Sequence, residues 1–334
     1  MQSLMEDLMD PAAFPDTTEC IKLVQTHISM VYIGDSFVYK IKKPVNFGFL
    51  DFSSLEKRHY YCQQELNLNK RLAKTLYLDV LPVVFDGEKH KISLTGKNGD
   101  IVDYAVRMKK ISERMLMKSL YERNELTAKH LEDLAHLLHQ FHTTAMHSSE
   151  IAEFGKPDMF RINTDENFVQ TQKYIDITIN EKDFKSIKRW TDHFYLNNRE
   201  TFFTRIKNNK IRDCHGDLHM EHISLEDPIA IFDCIEFNDR FRYTDTLADI
   251  AFLLMDLEYR NGKSFSDALW RYYSRISNDK EIALLTFYKV YRAYVRGKVI
   301  SFQIDDPQIS AEKKEDATQT AKRYFMLAKS YTTI

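Results

Sequence analysis

Two acidic residues and the short strings around them are the part of this sequence best suited to chemistry. Asp217 lies in Cys214-His215-Gly216-Asp217-Leu218-His219-Met220-Glu221-His222-Ile223, and Asp233 closes Ile229-Ala230-Ile231-Phe232-Asp233, 16 residues later (233 − 217). An acid at the tip of a loop between two short strands, and a second at the end of the next strand, can converge on one cleft through a hairpin. Phosphoryl transfer asks for little covalent chemistry from a protein. It needs a carboxylate to orient and deprotonate an attacking hydroxyl, and oxygen ligands for magnesium on the phosphates. Two convergent carboxylates with separate roles would supply both.

The elements that must position these acids are legible along the chain. A short amphipathic helix over 2–9 precedes β-like stretches at Ile21–Thr26, Ile28–Ile33 and Ser36–Lys42, with Gly34-Asp35 as a tight hairpin turn. Ser53 and Glu56 are spaced like a capping box and open a helix to about Ala73. Strands follow at Val80–Phe85, Lys91–Leu94 and Val102–Met108. From Ser112 on the pattern is helical. Thr127 caps a helix whose Leu131, Leu134, Leu137, Leu138 and Phe141 recur at helical spacing, 153–166 reads as loop, and helices fill 166–179, 183–206, 282–303 and 311–331. Short strands at 211–214, 222–224 and 229–232 interrupt this helical part where the acids sit.

His-Gly-Asp-Leu-His-x-x-His-Ile followed by the strand ending in Asp233 resembles the catalytic loop and metal-binding segment of the aminoglycoside phosphotransferase family, a branch of the kinase-like fold. Phe37-Val38-Tyr39-Lys40-Ile41-Lys42-Lys43-Pro44 and Phe232-Asp233-Cys234-Ile235-Glu236-Phe237-Asn238-Asp239 are similar to the signature of an uncharacterised bacterial clade of that family. The resemblance spans roughly 22–300 and is specific in the His-Gly-Asp segment, looser towards the N-terminus.

The resemblance implies an α+β, protein-kinase-like fold: a small antiparallel-sheet lobe over 1–108 and a large helical lobe over 109–334. It implies an ATP- and magnesium-dependent phosphotransferase acting on a hydroxyl of a small molecule, with a nucleotide-binding regulatory module of little transferase activity as the alternative. Asp217 matches the base, His215 and Gly216 the residues that shape its loop, Asp233 the magnesium ligand, and Asp249 a helix acid that braces the loop from below. Lys40 resembles the phosphate-binding lysine and Glu65 its ion-pair partner, although Lys42, on the same strand face, could serve instead. Backbone groups near Met108 and Lys109 would meet adenine.

Two positions depart from the family pattern. His222 stands where a second metal ligand is usually Asn; an imidazole is a poor magnesium ligand, so His222 would bond a phosphate, favour manganese or mark weakened catalysis. The expected nucleotide loop, Thr26-His27-Ile28-Ser29, has no glycine, so phosphate cradling would rest on Ser29 and loop shape. A protein kinase is disfavoured, because His-Arg-Asp, Asp-Phe-Gly and Ala-Pro-Glu strings are absent.

Composition narrows the partners. The chain of 334 residues has 43% hydrophobic and 29% charged residues, a globular mixture, and 47 basic against 49 acidic residues give a formal charge of −2. Nothing there proposes nucleic acid or an anionic membrane as partner. Cys20, Cys62, Cys214 and Cys234 are too scattered for a disulfide framework or zinc site. The acidic N-terminus does not read as a signal peptide, and the longest apolar run, near Ala251–Leu257, is broken by Asp256, so a soluble cytoplasmic protein is expected. His136, His139 and His142 read as packing and surface residues of one helix. On the helix around Phe287–Lys298, Lys289, Arg292 and Arg296 share a face. That face could meet an anionic acceptor, or pair with acids such as Glu236, Asp239 or Asp245; Glu236, Arg292 and Arg296 are the substrate candidates.

Overall fold

The computed structural model describes residues 2–307 and 309–333, and the chain divides into two compact units. One comprises Met1–Glu125 with Glu221–Asp239, the other Leu126–Met220 with Arg240–Ile334.

In the first unit α1 (Gln2–Asp7) precedes β1 (Lys22–Gln25), β2 (Ser29–Ile33) and β3 (Phe37–Lys42). Then come α2 (Leu55–Asn69), β4 (Tyr77–Phe85), β5 (His90–Ile92), β6 (Asp100–Lys109) and α3 (Met117–Glu122). The strands form one antiparallel sheet in the order β1-β2-β3-β6-β4-β5. Alternation along β3 sends Tyr39 and Ile41 into a core with Leu8, Phe14, Tyr32, Leu81 and Val83. The intervening Val38, Lys40 and Lys42 therefore face α2, whose Cys62 and Leu66 pack with Tyr77, Val106 and Met108. Two lysines thus enter a half-apolar layer, where only paired charges persist.

The second unit carries α4 (Ala128–Thr144), α5 (Ser149–Glu153), α6 (Pro157–Thr171), α7 (Glu181–Asn197), α8 (Arg199–Lys207) and strand β7 (Ile211–Asp213). The chain then contributes β8 (Ile223–Ser224) and β9 (Ala230–Ile231) to the first unit, as a short antiparallel pair. After α9 (Asp239–Arg242), strand β10 (Tyr243–Asp245) pairs with β7, and α10 (Thr246–Tyr259), α11 (Lys263–Ser277), α12 (Ile282–Ser301) and α13 (Ala311–Tyr331) complete the chain. Helix α10 is buried continuously from Thr246 to Leu257, the mark of a central helix. Phe252, Val290, Tyr294, Tyr324 and Phe325 knit α10, α12 and α13 together.

The strand and late-helix expectations agree with these bounds to within a few residues. Several local details differ; the helix expected over 166–179 stops at Thr171 and gives way to a 3-10 turn over Gln172–Tyr174. The cap of α2 is Ser54, whose hydroxyl accepts from the Lys57 amide, while the Ser53 hydroxyl donates to Asp51. Residues 157–166 are helical rather than loop, because Pro157 stands at a first-turn position that needs no amide donor. The expected helix over 183–206 is two helices broken at Asn198, which ends α7 and starts α8. Among the described residues no helix is long and apolar enough to cross a membrane.

Candidate active site

The first unit holds a buried charge cluster built on β3. Lys40 Nζ lies 2.7 Å from Asp233 Oδ1 and 2.9 Å from Glu65 Oε1, and Lys42 Nζ lies 2.7 Å from Glu65 Oε2. Lys42 also pairs with Glu236 and sits 4.8 Å from the centre of the Phe52 ring. Glu65 therefore forks between both lysines. Its contact to Lys40 is an ion pair rather than an aligned hydrogen bond, since Oε1 has no hydrogen-bond partner. The two lysines differ in exposure: Lys42 is enclosed, with 1% of its side chain exposed, whereas Lys40 touches the acid Asp233, whose side chain is 41% exposed.

Electrostatics follow from three carboxylates around two ammonium groups. Burial works against the Lys40 charge, but Asp233, Glu65 and Glu236 outweigh it and hold its pKa well above that of an ordinary lysine. Lys42 is raised in the same way, by Glu236 and Glu65 against burial. Burial also opposes the Glu65 charge, yet the two lysines bring its pKa below the usual value. Glu236 is the acid left over. Burial, with the Glu65 charge, pushes it up despite its contact with Lys42.

The Asp233 segment is fixed by its backbone. The Asp233 amide donates to the Tyr77 hydroxyl at 3.3 Å, and the Cys234 amide to Asn69 Oδ1 at 2.9 Å, while Asn69 Nδ2 donates to the Glu65 carbonyl at 2.8 Å. Asp233 has a left-handed φ of 61°, a conformation that Asp and Asn tolerate better than other side-chain-bearing residues. His222 Nε2 stands 3.4 Å from Asp233 Oδ2, an oxygen–nitrogen donor pair of the kind a divalent cation accepts.

Other expected nucleotide residues lie in the same unit. Ser29 opens β2 after the turn at Thr26, and its buried hydroxyl has no hydrogen-bond partner. Met108 and Lys109 end β6, and the Lys109 amide is already donated to the Leu76 carbonyl at 2.9 Å.

In the second unit the His215–Met220 loop leaves β7 and is held almost entirely through its backbone. Asp249 on α10 accepts the amides of His215 at 3.2 Å and Gly216 at 2.9 Å. Asp256, two turns further along the same helix face, accepts the Met220 amide at 3.0 Å. From α12, Arg292 donates to the carbonyls of Gly216 at 2.8 Å and Ala248 at 3.1 Å. Gly216 takes φ 86°, which suits a residue without Cβ. Asp217, at the tip, keeps 32% of its side chain exposed; its amide donates to His215 Nδ1 at 3.3 Å, and its carboxylate lies 3.6 Å from His219 Nε2.

Asp249 itself is fully enclosed. Burial raises its pKa, but the hydrogen bond from His142, the charges of His142 and His215, and the Gly216 amide bring it down to about 2. His142 Nε2 is 3.1 Å from Asp249 and its Nδ1 is 2.8 Å from the Tyr273 hydroxyl, so α4 and α11 both reach the brace. His142, Tyr273, Asp256, Asn69 and His219 were not singled out as site residues by the sequence. Only Asp256, an acid inside an apolar helix, and His219, inside the motif, carried a signal. Arg292 and Lys289, read as acceptor candidates or partners of nearby acids, spend their charges elsewhere: Arg292 on the loop carbonyls, Lys289 on Glu258 at 2.7 Å.

No family model matches the chain. Uncharacterised proteins of Mycobacterium tuberculosis and Mycobacterium bovis are 31% identical over 305 residues, covering 90% of this chain. The chain spans 59% of the length of these relatives. Among solved structures, the GDP and kanamycin complex of APH(2")-IIia superposes with a TM-score of 0.54 at 12% identity, over 96% of this chain and 98% of that one. The chain has the fold of the aminoglycoside phosphotransferases. That kinase-like fold extends to the amicoumacin kinase hAmiN in complex with AMP-PNP, Ca2+ and Ami, with TM-score 0.52, 11% identity and coverage of 97% and 93%. It extends also to a choline/ethanolamine kinase family protein of Mesorhizobium loti, with TM-score 0.50, 14% identity and 99% of each chain. At these identities the likeness is one of fold.

Proposed function

We propose that this chain transfers a phosphoryl group from ATP to a hydroxyl of a small molecule. The observation that carries the reading is the Lys40–Glu65–Asp233 arrangement. A strand lysine is fixed by a helix glutamate and touches the acid of a Phe-Asp segment, as phosphate binding and phosphate charge neutralisation require. Neighbours of the same fold described with GDP and AMP-PNP support the nucleotide part.

In this reading Lys40 binds the α- and β-phosphates and Glu65 keeps it from straying. Asp233 and His222 are the residues that would hold a divalent cation, magnesium or, given the imidazole, manganese. Such an ion, when bound, offsets the negative charge of the phosphate oxygens. Ser29 offers its hydroxyl to a phosphate oxygen, and the Met108–Lys109 backbone faces the base. Asp217 orients the acceptor hydroxyl and takes its proton. Its loop is preorganised by Asp249, Asp256 and Arg292, so the carboxylate needs little rearrangement during the reaction.

Release of ADP from ATP, with magnesium or manganese and a set of hydroxyl compounds, tests the assignment. Asp217→Asn is expected to lower turnover by about 100-fold or more while nucleotide affinity stays within about twofold. Unchanged turnover would remove Asp217 from the role of base.

A further inference from the structure

The three cations on one face of α12 have three different fates. Lys289 is neutralised by Glu258, and Arg292, 4% exposed, is consumed by the carbonyls of Gly216 and Ala248. Arg296, one turn beyond Arg292, is half-buried, and among the described residues it makes no salt bridge. Its guanidinium lies 5.7 Å from the centre of the Tyr324 ring. Tyr324 in turn stacks on Tyr259 at 3.7 Å with an interplanar angle of 5°, and Arg323 covers the far ring at 5.4 Å. Arg296 also shares a side-chain hydrogen bond with Tyr324, so this ring pair anchors one side of its guanidinium.

Burial works against the Arg296 charge, but Tyr324 and then the acids Asp217 and Asp256 hold its pKa above that of an ordinary arginine. Asp256 is occupied by the Met220 amide and by Arg260 at 3.4 Å. Because Arg292 grips the carbonyl of Gly216, the residue before Asp217, a cation one helical turn along belongs to the surroundings of the proposed base. A guanidinium anchored on a tyrosine and making no salt bridge among the described residues keeps donors that match a carboxylate or phosphate in two-pronged fashion.

We infer that Arg296 binds an oxyanion on the acceptor, so that the substrate is a hydroxyl compound bearing a carboxylate or phosphate. The inference rests on the phosphotransferase reading for the role of Asp217. It separates this chain from a relative in fold described with kanamycin, since an amine-rich acceptor would meet Arg296 with like charge. An anionic acceptor would otherwise be repelled by Asp217, and Arg296 offsets that repulsion where the hydroxyl must approach.

Calorimetric titration of inorganic phosphate and of malonate tests this on wild type, Arg296→Gln, Arg296→Lys and Lys40→Met, each first shown to be folded by its melting transition. Wild type and Lys40→Met should bind at least one of the two anions with similar affinity. Arg296→Gln should lose about tenfold or more, with partial recovery in Arg296→Lys. Preference for malonate or for phosphate tells carboxylate from phosphate ester. Absence of binding by wild type, unchanged affinity in Arg296→Gln, or loss in Lys40→Met instead each overturns the proposal. Failure of the phosphotransferase reading would show separately, as no ADP formed from ATP by wild type, a measurement on which the anion titration does not depend.

Discussion

The charge cluster on β3 and the loop around Asp217 are held by opposite means. In the cluster, side chains fix side chains: Lys40 and Lys42 pair with Glu65, Asp233 and Glu236 against a half-apolar layer. In the loop, side chains fix backbone: Asp249 and Asp256 accept amides, Arg292 donates to carbonyls, and Asp217 is half-buried at the tip. Charge pairing leaves Lys40 and Asp233 as groups that a polyanion and a cation could recruit together. Backbone bracing fixes the loop that carries the Asp217 carboxylate. The difference is what one expects if one region binds a charged ligand and the other activates an uncharged hydroxyl.

The sharpest way to break this contrast is to remove the member of the cluster that both lysines share. Glu65→Ala leaves two buried ammonium groups with fewer partners and should cost about 3–5 kcal/mol in chemical denaturation. Replacing Lys42 and Glu236 together by methionine should cost much less, because the pair is removed rather than broken. A small loss for Glu65→Ala would mean the cluster is not self-neutralising.

The loop brace should respond to acid. Asp249 has a folded-state pKa of about 2, below the ordinary carboxylate near 4, so its contribution is complete above about pH 4 and disappears as pH falls through about 2. At pH 6, Asp249→Asn should be less stable than wild type by an amount on the order of 2 kcal/mol, and the gap should close between about pH 4 and pH 2. Denaturation curves at three pH values settle it; a gap independent of pH would assign the loss to packing instead. The smallest effect lies outside both regions. Ser54→Ala removes the cap of α2, the helix that carries Glu65, and should cost about 1 kcal/mol in the same assay with little change in the cluster.

Much of this was readable from the residues, and the limits have physical reasons. Period-two alternation in Phe37–Lys42 is enough to place Lys40 and Lys42 on one face, and helical spacing brings Glu65 beneath them. It cannot say which lysine is enclosed, because that depends on Glu236 returning from 194 residues away (236 − 42). The His-Gly-Asp string marks the loop and Asp249 its support. His142 was read as packing because a helix of histidines at every third position looks like an amphipathic surface. Only tertiary contact with Asp249 and Tyr273 gives it a task. Local signals misplaced the cap of α2 by one residue and mistook the start of α6 for a loop, since Ser53 and Ser54 are chemically equivalent and Gly155 and Pro157 punctuate either structure.

The central claim is that the two regions have separate tasks, and a thermal-shift titration with ATP, with and without magnesium or manganese, tests it most directly. The proteins are wild type, Asp217→Asn and Asp233→Asn, the last chosen because Asn accepts the left-handed backbone at that position. The account predicts a metal-dependent stabilisation by ATP in wild type and Asp217→Asn, about 2–3 kcal/mol at 100 times the dissociation constant, and its loss in Asp233→Asn. Equal stabilisation of wild type and Asp233→Asn, or its loss in Asp217→Asn alone, would contradict it.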